Sequence, residues 1–197
     1  MQRKGMLERL GKGIYYRSRP TAFGNSRPNP ATVRRVAAKG AKVFPAGLSA
    51  ANMLGFTTQN PAKAEVSTTA RTVPQMLLDE HTVVHARRPA AWESLSETDA
   101  AVLELLRLRG EPSELPDAET IQRLLALLAE NGRFARLAGV SASEPPRVRA
   151  MLGALGEALG AKKNLLASLR ETLNPLSRFE FGMLSGLESA SRWQAKE

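Results

Sequence analysis

The sequence has 197 residues with no cysteine, only two histidines and few aromatics, 5% of the chain. Without cysteine there is no disulfide scaffold, no thiolate metal site and no thiol nucleophile. No apolar run approaches the roughly 18 residues of a membrane span, and residues 1–10 carry no signal-like apolar core. The expectation is a cytoplasmic protein with no membrane partner. Catalytic signatures are also lacking: there is no Gly-x-x-x-x-Gly-Lys-Ser/Thr phosphate loop, no Gly-x-Gly-x-x-Gly, and no Gly-x-Ser-x-Gly elbow around Ser49. His81 and His85 stand four apart in a strand-like run, without the third ligand a metal site needs. The acidic pairs Asp79-Glu80 and Glu111/Glu114 fall in turn-like segments, where carboxylates are solvated. The chain is therefore expected to be neither an enzyme nor a metal or cofactor protein.

What is present is charge of one sign in one place. Residues 1–50 carry 11 Lys and Arg against one acid, Glu8, whereas residues 51–197 carry 17 against 18. All of the net +9 sits at the front. A basic arm on a near-neutral body suits phosphate contact, because bound Lys and Arg release condensed counterions. A basic tail that only aids solubility is the other reading.

Residues 1–19 read as a hairpin, with a turn at Gly11-Lys12-Gly13 ahead of Ile14-Tyr15-Tyr16. Residues 20–30, rich in Pro, Gly, Asn and Ser, read as a linker. Residues 31–38 offer a short helix with Val33 and Val36 inward and Arg34, Arg35 and Lys39 outward. Around residues 41–64 a strand at 41–44 leads through Pro45-Ala46-Gly47 into a small-residue helix stopped by Gly55, and a polar Thr-Thr-Gln-Asn corner is closed by Pro61. Residues 64–72 and 73–88 alternate like strands.

From Ser96 the period becomes helical. Ser96-Glu97-Thr98-Asp99 forms a capping box, with Ser96 accepting from the amide of Asp99 and Asp99 reaching back. Val102, Leu103, Leu105 and Leu106 follow as an apolar face that ends at Gly110. A second helix runs from Pro116 to Gly132 on Ile121, Leu124, Leu125 and Leu128. A third follows Pro145-Pro146 with Val148, Leu152, Leu155 and Leu159, thinned by Gly153 and Gly156 and closed by Gly160. Arg147 and Arg149 at its start call for an acidic neighbour, and Glu144 is the expected one. A fourth helix spans residues 164–173, and Phe179, Phe181 and Trp193 read as core plugs of the tail. The fold class expected is α+β: a wing-like N-terminal β-hairpin (1–19), a linker (20–30), a small mixed β-sheet core (31–95) and a helical C-terminal half (96–197).

Three stretches carry a resemblance to a known family: Gly11-Lys12-Gly13-Ile14-Tyr15-Tyr16-Arg17-Ser18-Arg19, the run from Phe44 through Gly55 to Pro61, and Glu144-Pro145-Pro146-Arg147-Val148-Arg149. Together they resemble the AbiE-type antitoxins, the regulator half of abortive-infection (type IV) toxin–antitoxin pairs in phage defence. The resemblance implies an antitoxin that antagonises a nucleotidyltransferase-like toxin encoded by an adjacent gene, and that represses the shared operon as a transcriptional regulator. It also implies that residues 1–19 are the wing of a winged helix-turn-helix DNA-binding domain, with Arg3, Lys4, Arg9, Lys12, Tyr15, Arg17 and Arg19 as backbone phosphate contacts. In that family roughly fifty residues holding the recognition helix precede the wing, and Met1 opens at the wing, so contact without major-groove base readout is expected. Pro45, Gly47, Ser49, Asn52, Thr58, Gln59, Arg147 and Arg149 match family positions without an assigned chemical role. Two other readings stay open: a basic nucleic-acid- or ribosome-associated accessory protein without a toxin partner, and a purely structural interaction module.

Overall fold

The computed structural model describes residues 7–11, 14–22, 24–26, 28–29, 32–33, 36, 41–71, 82–85 and 87–196. The protein is α+β, with short hairpins first, a three-stranded sheet next and a helical C-terminal half.

The expected hairpin is present. Strands β1 (Glu8–Gly11) and β2 (Ile14–Tyr16) pair antiparallel, with Arg9 opposite Tyr15 and Glu8 opposite Tyr16, and an irregularity between Arg9 and Gly11. Residues 20–30 correct the linker reading: β3 (Pro20–Thr21) and β4 (Gly24–Asn25) form a second, two-residue hairpin. The Thr21 hydroxyl donates to the Gly24 carbonyl and stabilises that turn. Of the helix expected over 31–38, Thr32, Val33 and Val36 are helical, but Val36 is 51% exposed rather than inward. Arg34, Arg35 and Lys39 lie outside the described residues.

The sheet has the order β5–β6–β7, built from Val43–Pro45, Ala64–Thr68 and Thr82–His85. β5 runs antiparallel to β6, and β7 parallel to it. The first strand thus begins two residues later and ends one residue later than the expected 41–44. The two later strands are the short cores of the segments 64–72 and 73–88, of which residues 72–81 and 86 are not described. Between β5 and β6 lies helix α1 (Gly47–Met53), whose Ala50 and Ala51 are fully buried. Small side chains at these positions let it lie close to the sheet.

The helical half contains α2 (Glu97–Arg107), α3 (Asp117–Ala129), α4 (Arg133–Val140), α5 (Pro146–Ala158) and α6 (Lys163–Glu171). Four were legible from their apolar stripes and caps. α4 was not, and its Phe134 and Leu137 fill the core between α3 and α5. The Ser96 hydroxyl accepts from the Asp99 amide as expected, at 3.1 Å. The Asp99 carboxylate does not take the Ser96 backbone amide; it takes Arg133 at 3.0 Å and Arg136 at 3.0 and 3.1 Å. Burial raises the Asp99 pKa, but the hydrogen bond and charge of Arg136 and the bonds from Arg133 and Ser96 outweigh it and hold the carboxyl below its ordinary value.

One hydrophobic cluster runs from Phe44, through Trp92, to Trp193. Trp92, in the turn Ala90–Ser94, is completely buried and meets Phe44 edge-on at 5.9 Å. Its indole N–H donates to Glu144 Oε1 at 2.7 Å, while the guanidinium carbons of Arg88 and Arg107 stand 5.9 and 5.4 Å from its ring. At the other end, Gly153 admits Trp193 so closely that a Cβ there would lie 2.1 Å from the ring. Phe181 is buried as well, and Phe179 is half-buried. No helix among the described residues is long and apolar enough to cross a membrane.

Candidate functional site

The family-like run from Pro45 to Pro61 folds as a clasp closed by two carboxylates that lie outside it. The first is Glu65, one strand away. Its Oε1 accepts the Leu48 amide at 3.2 Å, its own amide donates to Ser49 Oγ at 3.0 Å, and its carbonyl accepts the Ala46 amide at 3.0 Å. A carboxylate over the first amides of α1 complements the helix dipole and a donor that lacks an intrahelical partner. Gly47 makes this possible: its φ is +50°, and a Cβ would lie 1.8 Å from Glu65 Oε2. That oxygen also stands 3.2 Å from His85 Nε2, so His85 belongs to the clasp, whereas His81 lies outside the described residues.

The second carboxylate is Glu114, in the connection between α2 and α3. It accepts from the Thr57 hydroxyl at 2.5 Å, the Thr58 amide at 3.0 Å and the Gln59 side-chain amide. These bonds, that of Thr57 foremost, hold the Glu114 carboxyl below its ordinary value. The reading of Glu111/Glu114 as a solvated pair is thereby corrected: Glu114 staples the corner, and Glu111 pairs with Arg109. Asn52 completes the closure by donating to the carbonyls of Thr57 at 3.4 Å and Gln59 at 3.0 Å. Arg123 Nε holds the Leu54 carbonyl at 2.8 Å beyond the end of α1. Pro45 closes β5. Gly47, Ser49, Asn52, Thr58 and Gln59 are thus engaged in shaping one backbone path.

Arg147 and Arg149 do not meet Glu144, which is buried and shared by Trp92 and by Arg107 at 2.8 Å. Arg147 instead donates to the Arg107 carbonyl at 3.1 Å, and the Nε atoms of both Arg147 and Arg149 are buried without a partner. Neither Trp92 nor Arg107 was singled out by local pattern. The clue available was a lone Trp bracketed by Arg88 and Glu93.

Alongside the sheet face that carries Val43, Pro45 and Val66 runs an open groove of about 860 Å³, lined also by Lys42, Met53 and Glu97. Among the described residues there is no group of three or more His, Asp or Glu side chains placed to hold a metal.

The basic hairpin is the other candidate surface. Tyr15, Arg17 and Arg19 are exposed while Tyr16 is half-buried and Ser18 is buried, the alternation of an extended chain with one covered face. Tyr16 shares a 2.7 Å hydrogen bond with Ser26 Oγ, which also accepts the Arg19 amide at 2.8 Å, and the two hairpins are tied together there. Arg9 is paired opposite Tyr15 and projects to the same face. Of the other nucleic-acid candidates, Arg3, Lys4 and Lys12 lie outside the described residues.

No family model and no curated protein matches the sequence. Among solved structures, the fold is similar to that of the RV2827C protein from Mycobacterium tuberculosis. The TM-score is 0.52 at 19% identity, and the match covers 90% of this chain and 70% of that one. At this identity the likeness is one of fold.

Proposed function

We propose that the chain is the antitoxin of an AbiE-type pair, a non-enzymatic protein that antagonises a nucleotidyltransferase-like toxin encoded next to it and touches operator DNA through its basic hairpin. The observation that carries the reading is the clasp. Ser49, Asn52, Thr58 and Gln59 spend their polar groups on Glu65, on Glu114 and on nearby backbone, so the family-like run specifies a shape rather than a reaction. A shape held this tightly suits recognition, and function belongs to surfaces grafted on such a frame.

The test is growth of cells expressing the adjacent gene alone and then with this chain. Toxicity relieved by co-expression is the expected result, and a neighbour that is harmless, or whose toxicity persists, overturns the antitoxin reading. Replacing Lys12, Arg17 and Arg19 together by Ala should abolish DNA association without unfolding the body. The exposed cationic face of the hairpin also favours a second reading, a basic nucleic-acid- or ribosome-associated accessory protein without a toxin partner. That reading calls for salt-sensitive, sequence-blind binding and no rescue of growth.

A further inference from the structure

Register sorts the charges of the hairpin. Arg9 and Tyr15 form one cross-strand pair and Glu8 and Tyr16 the next, so the two pairs project to opposite faces. The single acid of the first fifty residues, Glu8, therefore points away from the face that carries Arg9 and Tyr15. The exposure pattern continues that face through Arg17 and Arg19, whose guanidinium groups have no intramolecular partner among the described residues. The result is a strip on which Arg17 and Arg19 flank one aromatic ring, Tyr15, 56% exposed, with Glu8 on the opposite face.

The ring is what distinguishes one polyanion from another. A duplex presents phosphates and sugars outward and keeps its bases stacked inside, so a ring on a flat strand face would be desolvated there with no π partner. A single strand offers unstacked bases to an aromatic side chain, with phosphates alongside for cations. In an extended chain alternate residues lie roughly 6.6 Å apart, so Arg17 and Arg19 are spaced to follow consecutive phosphates leading away from a base on Tyr15.

We propose that this face binds single-stranded nucleic acid, with a base stacked on Tyr15 and flanking phosphates held by Arg17 and Arg19. The inference rests on the hairpin as a nucleic-acid contact, which both readings above share, and goes beyond them by naming a single strand, bound in preference to an operator duplex, as the ligand form.

The experiment measures binding of the full chain to short oligo(dT), oligo(U) and a duplex of the same length by fluorescence anisotropy across a salt series. Single strands should bind more tightly than the duplex. Tyr15→Ala should weaken single-strand binding about tenfold and leave duplex binding unchanged, whereas Tyr15→Phe and Tyr15→Trp should bind like the wild type, because stacking needs the ring and not the hydroxyl. Replacing Arg17 and Arg19 by Ala should reduce the slope of log affinity against log salt by about 1.4, the loss of two phosphate contacts on a single strand. A preference between oligo(U) and oligo(dT) assigns RNA or DNA as the source, and equal affinity means that the ribose is not read; all three support stacking if Tyr15→Ala binds weakly. Retention of the spectrum of the two buried tryptophans shows that each variant is folded.

Wild-type affinity in Tyr15→Ala, or tighter binding to duplex than to either single strand, overturns the proposal. If the arginine variant then still loses duplex binding, the hairpin remains a phosphate contact and only the stacking inference falls. If neither variant changes binding to any nucleic acid, the DNA-contact reading falls with it.

Discussion

Arginine does opposite work at the two ends of this molecule. In the helical half Arg107, Arg109, Arg133, Arg136, Arg170 and Arg192 each meet a carboxylate, and the acids they meet include Asp99 and Glu144, both buried. In the hairpin, Arg17 and Arg19 stand exposed beside Tyr15, on the face turned away from Glu8. The same side chain is an internal clamp where burial makes an unpaired charge costly, and an exposed, solvated group where water screens it. Composition alone hides this contrast. Residues 51–197 are near neutral and hold these ion pairs within a packed body, while Arg17 and Arg19 at the front keep exposed guanidinium groups.

The contrast breaks most severely at the buried clamp. Trp92→Ala should cost about 3–5 kcal/mol in urea unfolding, since it removes a completely buried ring and leaves Glu144 Oε1 without its donor. A loss below about 1 kcal/mol would mean that the tryptophan does not join the sheet to the helices. Next in size is Asp99→Asn, expected to cost about 2–3 kcal/mol at neutral pH by weakening the bonds to Arg133 and Arg136. The Asp99 pKa is lower folded than its ordinary 3.8, so its stabilisation is present above that value and is lost as pH falls through the lower folded one. Acid unfolding of the wild type should therefore steepen below about pH 4, and Asp99→Asn should flatten that limb. An unchanged acid limb would place the acid sensitivity elsewhere.

How much of this could be read beforehand follows from how far apart the interacting residues lie in sequence. α2, α3, α5 and α6 were legible because an apolar stripe and its caps are local signals. α4 was not, because eight residues between Gly132 and Ser141 give too short a stripe, with Phe134 and Leu137 as its only buried apolar anchors. The run from Pro45 to Pro61 could be read as a fixed path, but its two staples could not. Glu114 is 55 residues from Gln59 along the chain, and Glu65 is 16 from Ser49. The expected pairing of Glu144 with Arg147 and Arg149 failed for the same reason: Arg107, 37 residues away, reaches that carboxylate through the fold. Local pattern placed the basic strip, and register alone put Glu8 on its far side.

Smaller effects sharpen the comparison. Gly153→Ala should cost about 1–3 kcal/mol, because the new Cβ would meet Trp193 and force the ring to shift; red-shifted tryptophan emission would report the movement. Least of all on stability, replacing Arg17 and Arg19 by Ala should change unfolding by no more than about 0.5 kcal/mol, as expected for exposed side chains outside any buried network. That near-neutrality is the informative result when set against binding. A pair that contributes nothing to the fold yet governs affinity and its salt dependence is held for a partner. A pair whose loss unfolds the hairpin, seen as faster amide exchange across residues 14–19, would instead have been bracing it, and the division of labour between the two ends would fail.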